Sequence, residues 1–203
     1  MHRPSTISAT EAWLTLLFLV LVSDLAFRSL VPPAAVPTFA PASDFSAERA
    51  FKHLEFIARE PHPTGSIANS RVRDYLVDQL KSLGLEPQIQ KAVAATSFDI
   101  GGAPYGSGLV HNVTARVTGK NSTGAVVFMA HYDSVATGPG AGDNGSGVVT
   151  LLETLRALRS NTPLRNDVVF VFSDGEEDGG LGARAFVDEN PLAKDVSVAL
   201  RVY

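Results

Sequence analysis

Hydrophobic positions divide the chain into segments of different period. Ala12 to Val22 is an uncharged apolar run, and with Asp24 and Arg28 as interruptions it continues to Val31. A bilayer span needs about 20 apolar residues. Read to Val31 the segment is long enough, and Asp24 and Arg28, four apart, can pair on a helix while Arg28 snorkels. Val31 to Ala42 then holds four prolines and reads as an extended linker. After Ser46, a good N-cap, the stripe Ala50, Phe51, Leu54, Ile57 predicts a helix that Pro61 to Gly65 stops. Val72, Tyr75, Leu76, Leu80 and Leu83 predict a second, ended by Gly84. Residues 86–94 and 109–117 read as strands, with a turn-rich stretch from Gly101 to Gly108. Ala125 to Ala130 and Asp167 to Phe172 are continuous apolar strands. Between them Val148, Val149, Leu151, Leu152, Leu155 and Leu158 mark an amphipathic helix. A short helix over 181–188 and a strand over 196–200 follow. Strands apolar on both faces mean a sheet covered on both sides, and therefore an α/β domain with a mixed or parallel central sheet flanked by helices.

The predicted organisation is an N-terminal tail (1–11), a transmembrane signal anchor (12–31), a proline-rich linker (32–42) and a folded domain from 43 to 203. An uncleaved anchor is favoured over a cleaved signal peptide because no well-placed cleavage site follows the apolar run: Thr38-Phe39-Ala40 precedes Pro41, and Ala40-Pro41-Ala42 lies well beyond it. Arg3, Glu11 and Arg28 balance too evenly to orient the anchor. No internal repeat is visible.

The 203 residues are 45% hydrophobic and 19% charged, a globular composition. A net charge of −4 gives no electrostatic reason to expect a nucleic-acid partner. The absence of cysteine excludes a disulfide framework and a thiolate zinc site, so any metal must be held by His, Asp and Glu.

Two loops carry such residues. AHYDSVATGPGAGDNGSGV spans 130–148 and FVFSDGEEDGGLGA spans 170–183; each follows an apolar strand. Ligands in open α/β sheets sit beyond the carboxyl ends of strands, where both loops begin. His131 is the first residue after one strand. Asp133, two positions on, points the same way along extended backbone, so one can bind metal while the other supports it. Asp143 ends that loop, and Glu176 and Glu177 follow the other strand. Each piece alone has an ordinary reading: H-x-D is commonly structural, Asp143-Asn144-Gly145 a turn and cap, and Glu176-Glu177-Asp178 a solvated loop. Together they crowd carboxylates where two strands end, a repulsion that a cation would relieve. Zinc accepts such nitrogen and oxygen ligands.

The run AHYDSVATGPGAGDNGSGVVTLLE, followed by FSDGEEDGGLGA, resembles metallopeptidase family 28, the co-catalytic zinc exopeptidases. The segment from Phe45 to Ala50 and on through Pro61 to Ser66 resembles more narrowly its membrane-bound branch, the endoplasmic-reticulum metallopeptidase and vacuolar membrane protease proteins. The resemblance covers roughly residues 43–200. It implies that His131 binds one zinc, Asp143 bridges two, Glu177 binds the other, Glu176 is the general base and Asp133 orients His131. It also implies a cis peptide after Asp143. The implied activity is a membrane-anchored exopeptidase, an aminopeptidase first, acting on peptides. A carboxypeptidase, a glutaminyl-cyclase-like relative or a catalytically dead binding ectodomain are the alternatives.

The chain departs from the family pattern in one respect. Two further ligands are required, an acidic residue on the next strand and a later His. After Leu200 the sequence reads Arg201-Val202-Tyr203, and no His follows His131. The chain is therefore expected to be either the N-terminal part of a longer product or a truncated one, inactive alone. His2, His53, His62 and His111 are expected in solvated or turn roles. Asn112-Val113-Thr114 and Asn121-Ser122-Thr123 are glycosylation sequons with meaning only in a eukaryotic secretory lumen. Asn144-Gly145-Ser146 also matches, but modification within the metal loop is not expected. The domain is expected on the lumenal or extracytoplasmic side of the membrane.

Overall fold

The computed structural model describes residues 8–96, 99–100, 103–104 and 106–203, with side chains described outside 97–105. His2, Arg3 and most of the N-terminal tail lie outside these residues, as do Gly101, Gly102 and Tyr105 of the expected turn. The chain forms two compact units, residues 1–35 and 36–203.

In the first unit, helix α1 (Ala9–Leu30) starts three residues before the apolar run. Ser8 accepts the Glu11 N–H and Glu11 returns a bond to the Ser8 N–H, a capping box that draws the polar flank into the helix. At 22 residues it is about 33 Å long, enough to cross a hydrocarbon core. None of it is buried by protein, and the Asp24–Arg28 pair forms at 2.8 Å.

The second unit takes in part of the proline-rich segment. The Ser46 hydroxyl donates to Val36 O. The Arg49 guanidinium donates to the carbonyls of Thr38, Ala40 and Asp44, and that of Arg156 to those of Ala42 and Asp44. The fully buried Glu153 holds both arginines, at 3.0 Å from Arg49 and 2.7 Å from Arg156, and accepts the Ser46 N–H at 2.8 Å. Residues 36–44 are thus a strap bound along the domain.

Helix α2 (Ala47–Ile57) begins at Ser46, whose hydroxyl accepts the Arg49 N–H. It buries Ala50 and Ile57, with Leu54 packed beside them. Phe51, assigned to that stripe from the sequence, is 59% exposed. Positions 50, 54 and 57 make the i, i+4, i+7 face, and 51 lies about 100° around from 50. Helix α3 (Ile67–Ser82) buries Val72, Leu76 and Leu80, and Gly84 follows with φ +73°.

The remaining elements are β1 (Gln88–Ala95), β2 (Asp99–Ile100), β3 (Ala103–Pro104), β4 (Ser107–Val117), β5 (Ala125–His131), α4 (Ser146–Arg159), β6 (Asp167–Ser173), α5 (Leu181–Glu189) and β7 (Val196–Arg201). Among the described residues, β2 and β3 pair with each other in a separate two-stranded sheet. The main sheet runs β1-β4-β6-β5-β7, with β1, β4 and β6 antiparallel in succession and β6, β5 and β7 parallel. It is the mixed α/β sheet flanked by helices that the apolar runs predict. β6 is buried at every position, as a central strand covered on both faces must be. On one face α2, α3 and α4 pack Leu76, Leu80, Leu151 and Leu155 against Val113, Phe170 and Phe172; on the other, Phe186 of α5 packs against Val127, Val169 and Val171. The parallel register sets His131 opposite Ser173, so both strands end side by side.

Candidate metal centre

β5 and β6 are held in step by seven register pairs, so the residues that leave them arrive together. His131, at the last position of β5, is 1% exposed, and its Nε2 lies 3.0 Å from Asp143 Oδ1. Asp143 reaches it because Ala141–Gly145 forms a kinked turn leading into α4, with Asp143 and Asn144 at non-helical dihedrals, entered through Gly140 at φ +65°, a value that favours glycine. The Asp143–Asn144 peptide is cis. Buried Asn144 pins the turn: its Oδ1 accepts the Gly147 N–H, and its Nδ2 donates to Val202 O at 2.7 Å.

One ligand atom from each of His131, Asp143 and Glu177 lies within 4.8 Å of the other two. One imidazole nitrogen and two carboxylate oxygens form a donor set that suits zinc. Behind it stands Asp133, also 1% exposed. His131 Nδ1 is 3.1 Å from the Asp133 carbonyl oxygen and 3.4 Å from its Oδ1, the backing that metal-binding imidazoles characteristically have. Asp133 also accepts the N–H of Glu176 on Oδ1 and that of Glu177 on Oδ2, both at 3.1 Å. One buried carboxylate therefore positions the histidine of one loop and both glutamates of the other. Glu176 Oε2 lies 3.9 Å from His131 Nε2, and its Oε1 pairs with Arg201, whose guanidinium sits 4.5 Å from the Tyr203 ring centroid.

Electrostatics follow from this crowding. Burial opposes charge on His131, but the contacts with Asp133 and Asp143 and the field of Glu176 outweigh it and push its pKa up to about 9. Binding a cation at this imidazole would require its loss of a proton, so metal affinity should fall as pH falls. Burial would raise Asp133; His131 and the two N–H donors hold it below the ordinary carboxylate range. Glu177 is raised, by burial first and then by the negative charge of Asp143.

A layer beneath the site had no counterpart in the sequence reading. Asp174, fully buried, accepts the His111 N–H at 3.0 Å and the Asn69 amide at 3.1 Å, and burial raises its pKa. The Tyr132 hydroxyl donates to His111 O at 2.8 Å. Asn112, fully buried, accepts the Asp174 N–H and donates to Gly182 O and to the Gln90 side chain. The sequon at Asn112 thus has its amide spent inside the fold. The expectation for His62 is corrected. It is 2% exposed rather than solvated, because its loop exchanges two hydrogen bonds with Ser134, at 2.9 and 3.3 Å. His53 is half-buried, with Nδ1 2.7 Å from the Tyr75 hydroxyl, and His111 is a half-buried strand residue.

Comparison with known proteins bears on the family and the fold. The model of peptidase family M28 matches residues 112–202. The vacuolar membrane protease of Laccaria bicolor is 32% identical over 189 residues, which are 91% of this chain and 18% of that protein. That of Eremothecium gossypii is 36% identical over 169 residues, 75% of this chain and 16% of that one. The chain thus spans less than a quarter of the length of these curated relatives. Among solved structures, Porphyromonas gingivalis glutaminyl cyclase superposes with a TM-score of 0.65 at 27% identity, covering 77% of this chain and 58% of that one. A zinc aminopeptidase from Bacillus subtilis superposes with a TM-score of 0.67 over 79% of this chain and 70% of its own; at 17% identity it speaks to the fold alone. With the family model covering both loops of the site, the chain belongs to peptidase family M28, and its curated relatives are fungal vacuolar membrane proteases.

Proposed function

We propose that this chain is the N-terminal part of a membrane-anchored zinc exopeptidase, an aminopeptidase first, with its domain on the lumenal or extracytoplasmic side and α1 as an uncleaved anchor. The observation that carries the reading is the convergence of His131, Asp143 and Glu177 within 4.8 Å at adjacent strand ends. His131 and Glu177 would each hold one zinc and Asp143 would lie between two, the set being completed by ligands beyond Tyr203. Zinc, when bound, polarises the scissile carbonyl and makes water a better nucleophile. Glu176 is the base in this reading: its carboxylate lies beside the His131 imidazole, takes the proton of the attacking water and returns it to the leaving amine. Asp133 keeps His131 turned to the metal and fixes the backbone from which Glu176 and Glu177 project. Arg201 must release Glu176 before that base can act.

The test compares the 203-residue chain with a version extended through the further ligands, using aminoacyl-p-nitroanilide turnover and metal analysis on the same preparations. The short chain is expected to turn over poorly or not at all. In the extended chain, Glu176→Gln should lower turnover by about 10²–10⁴-fold with zinc retained, whereas Glu177→Gln should lower zinc content. Full turnover by the short chain, or unchanged turnover in extended Glu176→Gln, would refute the assignment. The 27% identity to a glutaminyl cyclase supports a second reading, cyclisation of an N-terminal glutaminyl residue. Glutaminyl peptides offered to the extended chain separate the two by product mass.

A further inference from the structure

Three N-x-S/T sequences occur in the chain, and the fold treats their asparagines differently. Asn112 is fully buried in β4, with its amide nitrogen bonded to Gly182 O and Gln90 Oε1 and its oxygen to the Asp174 N–H. A sugar on that nitrogen would replace one of its two donated bonds and has no room at a fully buried position between β4 and α5, so modification there is incompatible with this fold. Asn144 is 1% exposed, and its Nδ2 donates to Val202 O. Asn121 lies in the loop between β4 and β5, and Asn121, Ser122 and Thr123 are all exposed. The loop's backbone is tied down around it. The N–H of Lys120 donates to Leu164 O and that of Asn121 to Arg165 O, both at 2.9 Å, and the Thr123 N–H reaches Asn166 Oδ1 at 3.3 Å. The Gly119 N–H donates to Asp167 Oδ1 at 2.7 Å. Among the described residues, no hydrogen bond engages the Asn121 side chain. The segment is therefore a fixed platform that leaves its one sequon amide to solvent.

Its position favours modification as well. β5 starts four residues after Asn121 and runs from Ala125 to His131, a rise of about 20 Å. The exposed sequon and the metal centre lie at opposite ends of that strand, so a bulky group at one leaves the other open.

We propose that Asn121 is an N-glycosylation site, and that Asn112 and Asn144 remain unmodified in the folded protein. The step is transfer of an oligosaccharide from a lipid-linked pyrophosphate donor. Asn121 Nδ2 forms a bond to the anomeric carbon, the carbon–oxygen bond to the pyrophosphate breaks, one amide proton is lost and the lipid pyrophosphate leaves. The proposal rests on the lumenal placement of the domain, and the experiment separates the two. The full chain is expressed in yeast with a C-terminal tag that carries its own sequon on a flexible spacer. Mobility is compared before and after peptide-N-glycosidase, and sites are mapped by release in ¹⁸O-water, which marks each formerly modified asparagine as labelled aspartate. Two modified sites are expected, the tag and Asn121. Asn121→Gln and Thr123→Ala should each remove one, Thr123→Ser should retain it, and none should alter zinc binding. A modified tag with unmodified Asn121 overturns the proposal while lumenal placement stands. An unmodified tag overturns lumenal placement and the proposal with it. Label at Asn112 or Asn144 in folded protein overturns the sorting by burial.

Discussion

At the residue scale, Asp133 makes the sharpest claim. Its two oxygens serve three groups from two loops, the His131 ring and the Glu176 and Glu177 N–H donors. An asparagine there keeps the shape but turns a donor toward one of those donors, leaving a buried N–H unpaired. Asp133→Asn in the full chain should weaken zinc binding by about 10–100-fold, the usual effect of losing a group behind a ligating histidine; competition with a chromophoric chelator measures it. Unchanged affinity would show that Asp133 does not orient the ligands. That His131, Asp133, Asp143, Glu176 and Glu177 stand in two neighbouring loops was legible in the sequence, because each sits within a few residues of an apolar strand's end or a helix start; the role of each came only from the family resemblance. Asp174 was not singled out. It stands in the same loop as the glutamates, but its role appears only when Asn69 arrives from α3, 105 positions away. A buried polar group is defined by its partners, and partners distant in sequence leave no local pattern.

At the scale of elements, periodicity gave strand and helix positions to within one to three residues, and failed where neighbouring residues shared polarity. Phe51 beside Ala50 is the example: composition favoured the larger side chain for the core, geometry the smaller. The strap over residues 36–44 was also illegible, because prolines describe an extended chain without saying what it lies on. Its hold is electrostatic and therefore pH-dependent. Burial would raise the Glu153 pKa, but Arg156, the Ser46 N–H and Arg49 together hold it below its ordinary value of 4.5. A carboxylate depressed in the folded state contributes stability that is complete above its unfolded pKa and is lost as pH falls through the folded one. The full chain should therefore lose thermal stability below about pH 4.5, and Glu153→Gln should shallow that acid limb. At neutral pH the same substitution should cost about 3 kcal/mol, since it leaves two arginines around a neutral group. Melting followed by circular dichroism between pH 3 and 7 checks both; parallel acid limbs in the two proteins would remove Glu153 from the account. Close approach supplies a further case. A Cβ on Gly182 would stand 2.2 Å from Asp174 O and 2.3 Å from Asn112 Oδ1, so α5 could not keep its place beneath the site. Gly182→Ala should lower the midpoint of chemical unfolding without changing any ligand, whereas Gly142→Ala, with open space around it, should leave the midpoint in place.

For the whole molecule, sequence period revealed how many layers the domain has but not the strand order. β4 lies between β1 and β6 and runs antiparallel to both, an arrangement set by register along whole strands rather than by any one residue. The N-terminal helix poses the opposite problem, since its sequence is plain and no protein covers it. Over Ala12 to Val22 it is apolar on all sides, and Trp13, Leu17, Phe18 and Leu19 are each more than half exposed. A helix apolar all round is stable in water only when something apolar covers it, and a bilayer does so over its whole length. The full chain should accordingly stay in the membrane pellet after alkaline carbonate extraction, with an intact mass that includes the segment before Val31. Leu19 lies near the middle of the helix, where an arginine costs about 2.5–3.5 kcal/mol of insertion. Leu19→Arg should therefore move a measurable share of the chain to the carbonate-soluble fraction. A soluble, shortened wild-type chain would mean that the segment is removed as a signal peptide. A soluble chain of full length would mean that α1 anchors nothing.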